Sequence, residues 1–194
     1  MSRNKSFYII GGGGQAKVII AAAHSPSDVC GIFDYDKNKI GKMLLGELKI
    51  SNAPSLLWWH EHRPAAIIAV GDNIRRKKIA EELGKQEWIN VIHPSATVHS
   101  SAKIGIGIYI GANAIIQPDA VIGDHAIINT SSIIEHDVKI GAYSHIAPGC
   151  VLAGNVEIGE GAFLGTGTHV IPCQKIGCWT IIGAGSAVVK NIPS

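Results

Sequence analysis

At 194 residues the chain has room for a small domain joined to an extended repeat, and it is long enough to bury a real core. A formal charge of +2 and a charged content of 16% give no basic tract or acidic tail, which excludes nucleic acid and membrane insertion and leaves small molecules as the default partners. The four cysteines, Cys30, Cys150, Cys173 and Cys178, contain no Cys-x-x-Cys pair and favour neither a disulfide framework nor a zinc site.

Residues 2–6 are polar and the apolar run over 18–23 is too short to span a bilayer, so no signal peptide or anchor is expected and a cytoplasmic location follows. Residues 7–10 then read as a strand, 11–14 as a tight loop, 15–24 as a helix and 29–33 as a second strand ending at Asp34. Residues 67–70 read as a buried strand and 74–83 as a helix with basic residues on one side. These elements make a small Rossmann-like βαβ unit over residues 1–90. His60 and His62 flank Glu61 without the spacing of a helical metal site, and no metal is expected.

Glycines between a strand and a helix let the backbone approach a phosphate, which meets free N–H groups and the positive end of the helix. The tetraglycine is therefore a candidate diphosphate cradle. Gly11, Gly13 and Ala16 also fit Gly-x-Gly-x-x-Ala, with Asp34 near the distance of a ribose-binding acid, so a nicotinamide cofactor stays open. A tight turn that holds no ligand stays open as well.

From Ile92 the sequence changes period. A large aliphatic residue recurs every six positions through Val98, Ile104 and Ile110 to Val188, and four residues after each stands a small or β-branched one, with Gln174 the exception. A helix repeats its apolar face every three or four residues and an amphipathic strand every two, so a period of six requires short strands joined by turns. Glycines such as Gly105, Gly123 and Gly141 follow the large residue, where the chain turns or backbones come close. With three edges per coil, Ile92, Ile110, Ile128, Ile146, Leu164 and Ile182 stack along one edge of a β-helix over residues 91–194. His136 lies at a corner after the inward Ile134, free to project outward. Gly154, eighteen residues on, should lie one coil away at the strand spacing of about 4.8 Å.

The order YIIGGGGQAK, FDYDK, AVGDNIRRK and then a repeat containing NTSSIIEHD is similar to the sialic-acid O-acetyltransferase family of hexapeptide-repeat acyltransferases. It is most like the nucleotide-sugar members, including the UDP-4-amino-sugar N-acetyltransferase of bacillosamine synthesis, and the likeness runs over almost the whole chain. The resemblance implies an α/β Rossmann-like domain followed by a left-handed parallel β-helix, assembled as a homotrimer. It implies transfer of acetyl from acetyl-CoA to a nucleotide-linked amino sugar for bacterial glycan or glycoprotein synthesis, with a UDP-4-amino-4,6-dideoxy sugar as the first candidate, while UDP, dTDP and GDP stay open as the nucleotide and C4 and C3 as the place of the amine. In the N-terminal domain Gly12, Gly13, Gly14, Asp34, Asp36 and Lys37 would hold the nucleotide diphosphate. For Asn129, in the NTSS motif, two readings stay open, a residue facing the sugar and a member of a stacked polar ladder. His136 would be the general base, Asp137 would orient it, and the Gly154 N–H would meet the thioester oxygen. His145, Gly154, Gly165, Thr166 and Ala184 would contact acetyl-CoA.

Two departures stand out. Members usually carry histidine where this chain has Gln15, and they usually continue past the last coil into a Gly-x-Pro-Ala-Lys type tail that helps hold CoA. Ser131 and Ser132 lack an evident paired base, so direct attack without an acyl-enzyme is expected. His93, His99, His125 and His169 read as surface or interface residues. O-acetylation of a sialic acid or other sugar hydroxyl, and a non-catalytic β-helix scaffold, are the alternative readings.

Overall fold

The structure, a computed structural model, describes residues 6–23 and 25–194, apart from the side chain of Pro26. The polar residues 2–5 and the expected helix end at His24 lie outside the described residues. The chain divides into two compact units, residues 1–91 and 92–194.

The first unit is a six-stranded sheet built from β1 (Phe7–Ile10), β2 (Val29–Asp34), β3 (Met43–Leu44), β4 (Leu48–Asn52), β5 (Ala65–Ile68) and β6 (Glu87–Trp88), in the order β3-β4-β2-β1-β5-β6. All pairings are parallel except β3 with β4. Helices α1 (Gly14–Ala22), α2 (Leu56–His62) and α3 (Asn73–Leu83) complete it. The runs FYII and AAII are nearly all buried, as strands covered on both faces must be. After β2 the chain moves outward to β4, whereas β5 lies on the other side of β1. Such a reversal opens a crevice at the carboxyl ends of the strands, where ligands of open α/β sheets bind.

The hairpin β3-β4, the helix α2 and the edge strand β6 go beyond the elements expected from sequence. Helix α2 is too short to show a period. Its start is fixed by Ser55, whose hydroxyl accepts the Trp58 N–H, and its fully buried Trp59 meets the rings of Tyr8 and Phe33 edge-on. Strand β5 begins two residues earlier than expected and ends before Val70, whose carbonyl accepts from the Arg76 guanidinium at 2.8 Å.

The second unit is a parallel β-helix of two-residue strands running from β7 (Val91–Ile92) to β23 (Ala187–Val188), in sheets of six, six and five strands. Partners are eighteen residues apart, as Ile127 with His145 and Ile128 with Ile146. Face I contains Tyr109–Ile110 through Ile181–Ile182, face II Thr97–Val98 through Ala187–Val188, and face III Lys103–Ile104 through Lys175–Ile176. The second residue of each strand points inward, and these aliphatics form one continuous core with the small residues four positions on. Backbone amides are satisfied between coils, as in Gly111 N–H to Ile128 C=O at 2.8 Å. Gln174, out of pattern, turns its amide to the Pro172 carbonyl at 3.0 Å.

The repeat separates two backbone needs that sequence reading merged. Left-handed φ falls three residues after each inward aliphatic, in every turn from Gly107 to Gly185, and Asn113, Asp119, Asp137 and Asn155 adopt it as well as glycine. The glycines directly after the aliphatics serve close approach instead: a Cβ at Gly141 would lie 2.5 Å from the Glu160 nitrogen of the next coil. His125 corrects the surface expectation, being buried and stacked on Tyr143 with ring centroids 5.3 Å apart, over a turn where Gly107 carries no side chain to block it. On the first coil, His93 and His99 accept the amides of Ser95 and Ser101. Those serine hydroxyls in turn receive the N–H groups of Asn113 and Asp119, where higher coils use a carbonyl.

Among the described residues no helix is long and apolar enough to cross a membrane.

Candidate active site

The corner between faces II and III carries the chemistry-bearing pair. His136 sits between Ile133–Ile134 and Lys139–Ile140, and Gly154 follows Val151–Leu152 at the same corner one coil on. A Cβ built on Gly154 would fall 2.6 Å from both Nε2 and Cε1 of His136, so the imidazole lies over this glycine only because it has no side chain. The backbone around the ring is fixed from both sides: the His136 carbonyl accepts Asn155 N–H at 3.1 Å, and Asp137 donates its N–H to Pro118 at 3.2 Å.

Asp137 takes the left-handed turn position with φ 61°, and its Oδ2 lies 2.8 Å from His136 Nδ1. A carboxylate only accepts, so Nδ1 holds a proton, and in the neutral ring it is Nε2 that carries the free lone pair. The two side chains are 58% and 52% exposed, which leaves Nε2 open to a substrate while the ion pair contributes little to stability. Gly154 N–H has no hydrogen-bond partner among the described residues, although the neighbouring Ala153 and Asn155 amides are both paired. One corner therefore presents a proton acceptor and an unspent amide donor, the two elements that acyl transfer to a nucleophile requires.

Asn129 and His145 form a second cluster on face I. The Asn129 amide nitrogen lies 3.1 Å from His145 Nε2 and its Oδ1 accepts the Thr130 N–H, while the His145 ring meets Phe163 edge-on. Gly165, Thr166 and Ala184 lie at the turn between faces I and II, in the same column as Asn129 and Thr130. Thr166 and Ala184 are exposed, but Gly165 is buried: its carbonyl accepts from Cys150 Sγ and Thr168 Oγ1, and a Cβ on it would press on the Ala184 nitrogen. Burial pushes the Cys150 thiol up, which suits a structural rather than a nucleophilic sulfur. Within one chain this column and the His136 corner are separated by the whole width of face II.

The first unit holds a cavity of about 430 Å³ at the carboxyl ends of β1, β2 and β5. It is lined by Gly11, Gly13, Gly14 and Gln15, by Asp34, Tyr35, Asp36 and Lys39, and by residues 69–71 with Arg75 and Ile79. Gly13 and Gly14 have no neighbour within 4 Å of a built Cβ, so they face open space. Gly11, with φ +107°, and Gly12 instead lie against Ala69 and Ile50. Asp34 organises the loops: Oδ2 accepts Gly12 N–H at 2.7 Å and Lys39 Nζ at 2.9 Å, and Oδ1 accepts Asp36 N–H at 2.8 Å. Burial raises its pKa, but the amides of Asp36 and Gly12 and the Lys39 ammonium outweigh it and hold the carboxyl below its usual range.

Of the residues expected here, Gly13, Gly14, Asp34 and Asp36 line the cavity, whereas Gly12 is turned to Asp34 and the exposed Lys37 does not border it. Lys39, Tyr35 and Arg75 do, and were not singled out from sequence, although Arg75 lies inside the noted AVGDNIRRK motif. His60 and His62 are engaged with the carbonyls of Glu82 and Trp58, and His62 stacks on Trp58. Among the described residues no cluster of three potential metal ligands occurs.

Residues 6–83 match the PglD N-terminal domain family and residues 89–181 the GMPPB C-terminal domain family. The chain is 42% identical to the UDP-N-acetylbacillosamine N-acetyltransferase of Bacillus subtilis, over 56% of this chain and 52% of that protein. It is 37% identical to an uncharacterized protein of Acanthamoeba polyphaga mimivirus, over 60% and 23%. The chain thus spans about half the length of the first of these relatives and about a quarter of the second. Solved structures match nearly end to end. Perosamine N-acetyltransferase from Caulobacter crescentus, a mutant in complex with CoA and GDP-perosamine, is 38% identical with a TM-score of 0.87, covering 98% of this chain and 91% of that one. The acetyltransferase domain of PglB from Neisseria gonorrhoeae, in complex with acetyl coenzyme A, is 32% identical with a TM-score of 0.85, covering 99% and 94%.

Proposed function

Since the chain belongs to the amino-sugar N-acetyltransferase family of left-handed β-helix enzymes, we propose that it moves the acetyl group of acetyl-CoA onto the amine of a nucleotide-linked amino sugar. The observation that carries this reading is the His136 ring lying on Gly154 with Asp137 on its far nitrogen.

In this mechanism the neutral amine attacks the thioester carbonyl, forming the C–N bond, as His136 Nε2 takes the amine proton. Negative charge gathers on the carbonyl oxygen, where the Gly154 N–H stabilises it. The tetrahedral species collapses by breaking the C–S bond, and the departing thiolate takes its proton back from the imidazolium. Asp137 holds the ring in the tautomer this requires and stabilises its protonated form. No acyl-enzyme forms.

The two separated columns support a subunit-bridging site. Ile115, Ile133 and Val151 give face II a half-buried apolar stripe between the His136 corner and the column of Asn129, Thr166 and Ala184. Face III instead carries Lys139, Glu157 and Lys175, with Glu157 paired to Lys175 at 2.9 Å and to Lys139 at 3.7 Å, and it suits water. A homotrimer that packs face II of each copy against the next would join a catalytic corner to a neighbour's Asn129 column and close a ring. The nucleotide is assigned to the N-terminal cavity, with a UDP-4-amino-4,6-dideoxy sugar as the specific acceptor. The setting is the cytoplasm, in bacterial glycan or glycoprotein synthesis.

The test is thiol release from acetyl-CoA with UDP-, GDP- and dTDP-linked 4-amino-6-deoxy sugars, and with sialic acid as the hydroxyl acceptor. Release with at least one amine and none with sialic acid is expected. Release with sialic acid alone would replace the reading by O-acetylation, and release with none would leave a scaffold. Sedimentation of a fully active monomer would remove the subunit-bridging site.

A further inference from the structure

His136 and Asn129 belong to one coil, so joining the first to a neighbour's copy of the second sets the stacks side by side, with the three-fold axis parallel to them. Rotation about such an axis leaves height unchanged. Every layer of the interface therefore holds three copies of one residue. Face II presents Thr97, Ile115, Ile133, Val151, His169 and Ala187 outward, one per coil. The other faces are already committed. Lys139, Glu157 and Lys175 suit face III to water, and on face I Tyr109, Ile127 and His145 are buried within the chain.

His169 is the one titratable side chain in the face II column. It is exposed in the single chain, its backbone N–H goes to the Ser186 carbonyl at 2.8 Å, and its ring has no partner among the described residues. Val151 lies directly below it and Ala187 directly above. At the same height the flanking corners bring Thr166 and Gly167 on one side and Ile171, Pro172 and Cys173 on the other, so the Cys173 thiol is the single titratable neighbour there. In the coils directly above and below, these corners hold one charged residue, Lys190, and no carboxylate. We infer that His169 is a proton-operated assembly switch: three copies of its imidazole meet in one layer at the three-fold axis, where they join the trimer while neutral and part it when protonated. This inference rests on the reading that face II packs between copies.

A neutral imidazole has one N–H and one lone pair, so three of them can bond head to tail, each donating to the next, in a ring that cyclic symmetry permits. An imidazolium has two donors and no acceptor. It also brings charge into a layer whose neighbours are valines and alanines, beside two more rings of the same kind and with no acid to offset it. The assembled layer therefore binds fewer protons than three separate chains do. By linkage, association is full at pH values above the ordinary imidazole range and weakens as pH falls through it, near about pH 6.5. Because the active site joins two copies, parting the trimer would open every site at once.

The experiment is sedimentation equilibrium of the full chain at several pH values from 8 to 5.5, with turnover measured against chain concentration. The wild type should be a trimer at pH 8. Below about pH 6.5 its association constant should fall with a slope approaching about a thousandfold per pH unit, the limit for three linked protons. Turnover per chain should then drop on dilution at pH 6 but not at pH 8. His169→Leu should stay trimeric throughout and lose the dilution effect, while His169→Lys, charged at every pH used, should sediment as a monomer at pH 8. His136→Ala should keep the wild-type slope of assembly, which separates the switch from the catalytic base. A His169→Leu chain that dissociates with the wild-type slope, or a His169→Lys chain that remains trimeric, overturns the inference and leaves the trimer standing. A wild type that is monomeric at pH 8 overturns both.

Discussion

In the β-helix every position has counterparts eighteen residues away, whereas in the N-terminal unit no position has one. The His136 corner is shared with Pro118, Gly154 and Pro172, and what sets His136 apart is a side chain, not a backbone. Around the N-terminal cavity it is the backbone that is singular: Gly11 has φ +107°, Gly13 and Gly14 face open space, and Asp34 ties two loops together. Substitutions in the repeat should therefore sort by column into those that harm rate and those that harm folding. Around the cavity the two effects should be mixed.

The sharpest test of that contrast is His136→Ala. The ring is exposed and supports no packing, so turnover should fall about 10³-fold, within the range for a general base, while the thermal midpoint and nucleotide affinity stay near wild type. Near-normal turnover would remove His136 as the base. Next, Gly141→Ala places a Cβ against the Glu160 backbone, which cannot give way without opening two coils. About 3 kcal/mol of stability should be lost in a denaturant titration. Gly154→Ala carries the same substitution to the catalytic corner, where the obstacle is an exposed imidazole that can swing aside. Turnover should drop about 10²-fold, equivalent to roughly 2.7 kcal/mol, with a small change in stability. If both glycine variants lose stability equally, the division by column fails.

The smallest expected effect is mixed. Asp34→Asn should cost about 2 kcal/mol by weakening hydrogen bonds to a charged acceptor, and should also loosen nucleotide binding. The folded carboxyl is held below its ordinary value, so its contribution is fully present above about pH 4. It is lost as pH falls through the lower folded value. Thermal melts of wild type and variant should thus differ by a constant amount from pH 7 to 5 and converge on further acidification.

How much of this was legible in sequence follows from the same contrast. The six-residue beat revealed the faces, the inward column and the His136–Gly154 neighbourhood, because a repeat turns sequence distance into spatial distance. It could not reveal which turn residues take left-handed φ, since Asn, Asp, His and Tyr all do so here. Nor did it show that His125 folds inward over Gly107. In the first unit the βαβ order was readable, but the hairpin and α2 were hidden by their shortness. Lys39 and Arg75 reach the cavity from a loop and a helix whose placement depends on tertiary packing. Gly12 and Lys37 belong to the right motifs yet face elsewhere, because the Gly12 amide is claimed by Asp34.

The left-handed turn that holds Asp137 is common property of the coil, repeated at every corner from Gly107 to Gly185. Orienting the imidazole therefore demands no local distortion, and the scaffold offers equivalent mounting points along its axis. A histidine in place of Gly154 and a glycine in place of Pro172 would rebuild the pair one layer up, with Asn155 in the position of the orienting acid. Where the reaction sits along this column is a choice of a few side chains, open to relocation without redesign of the backbone.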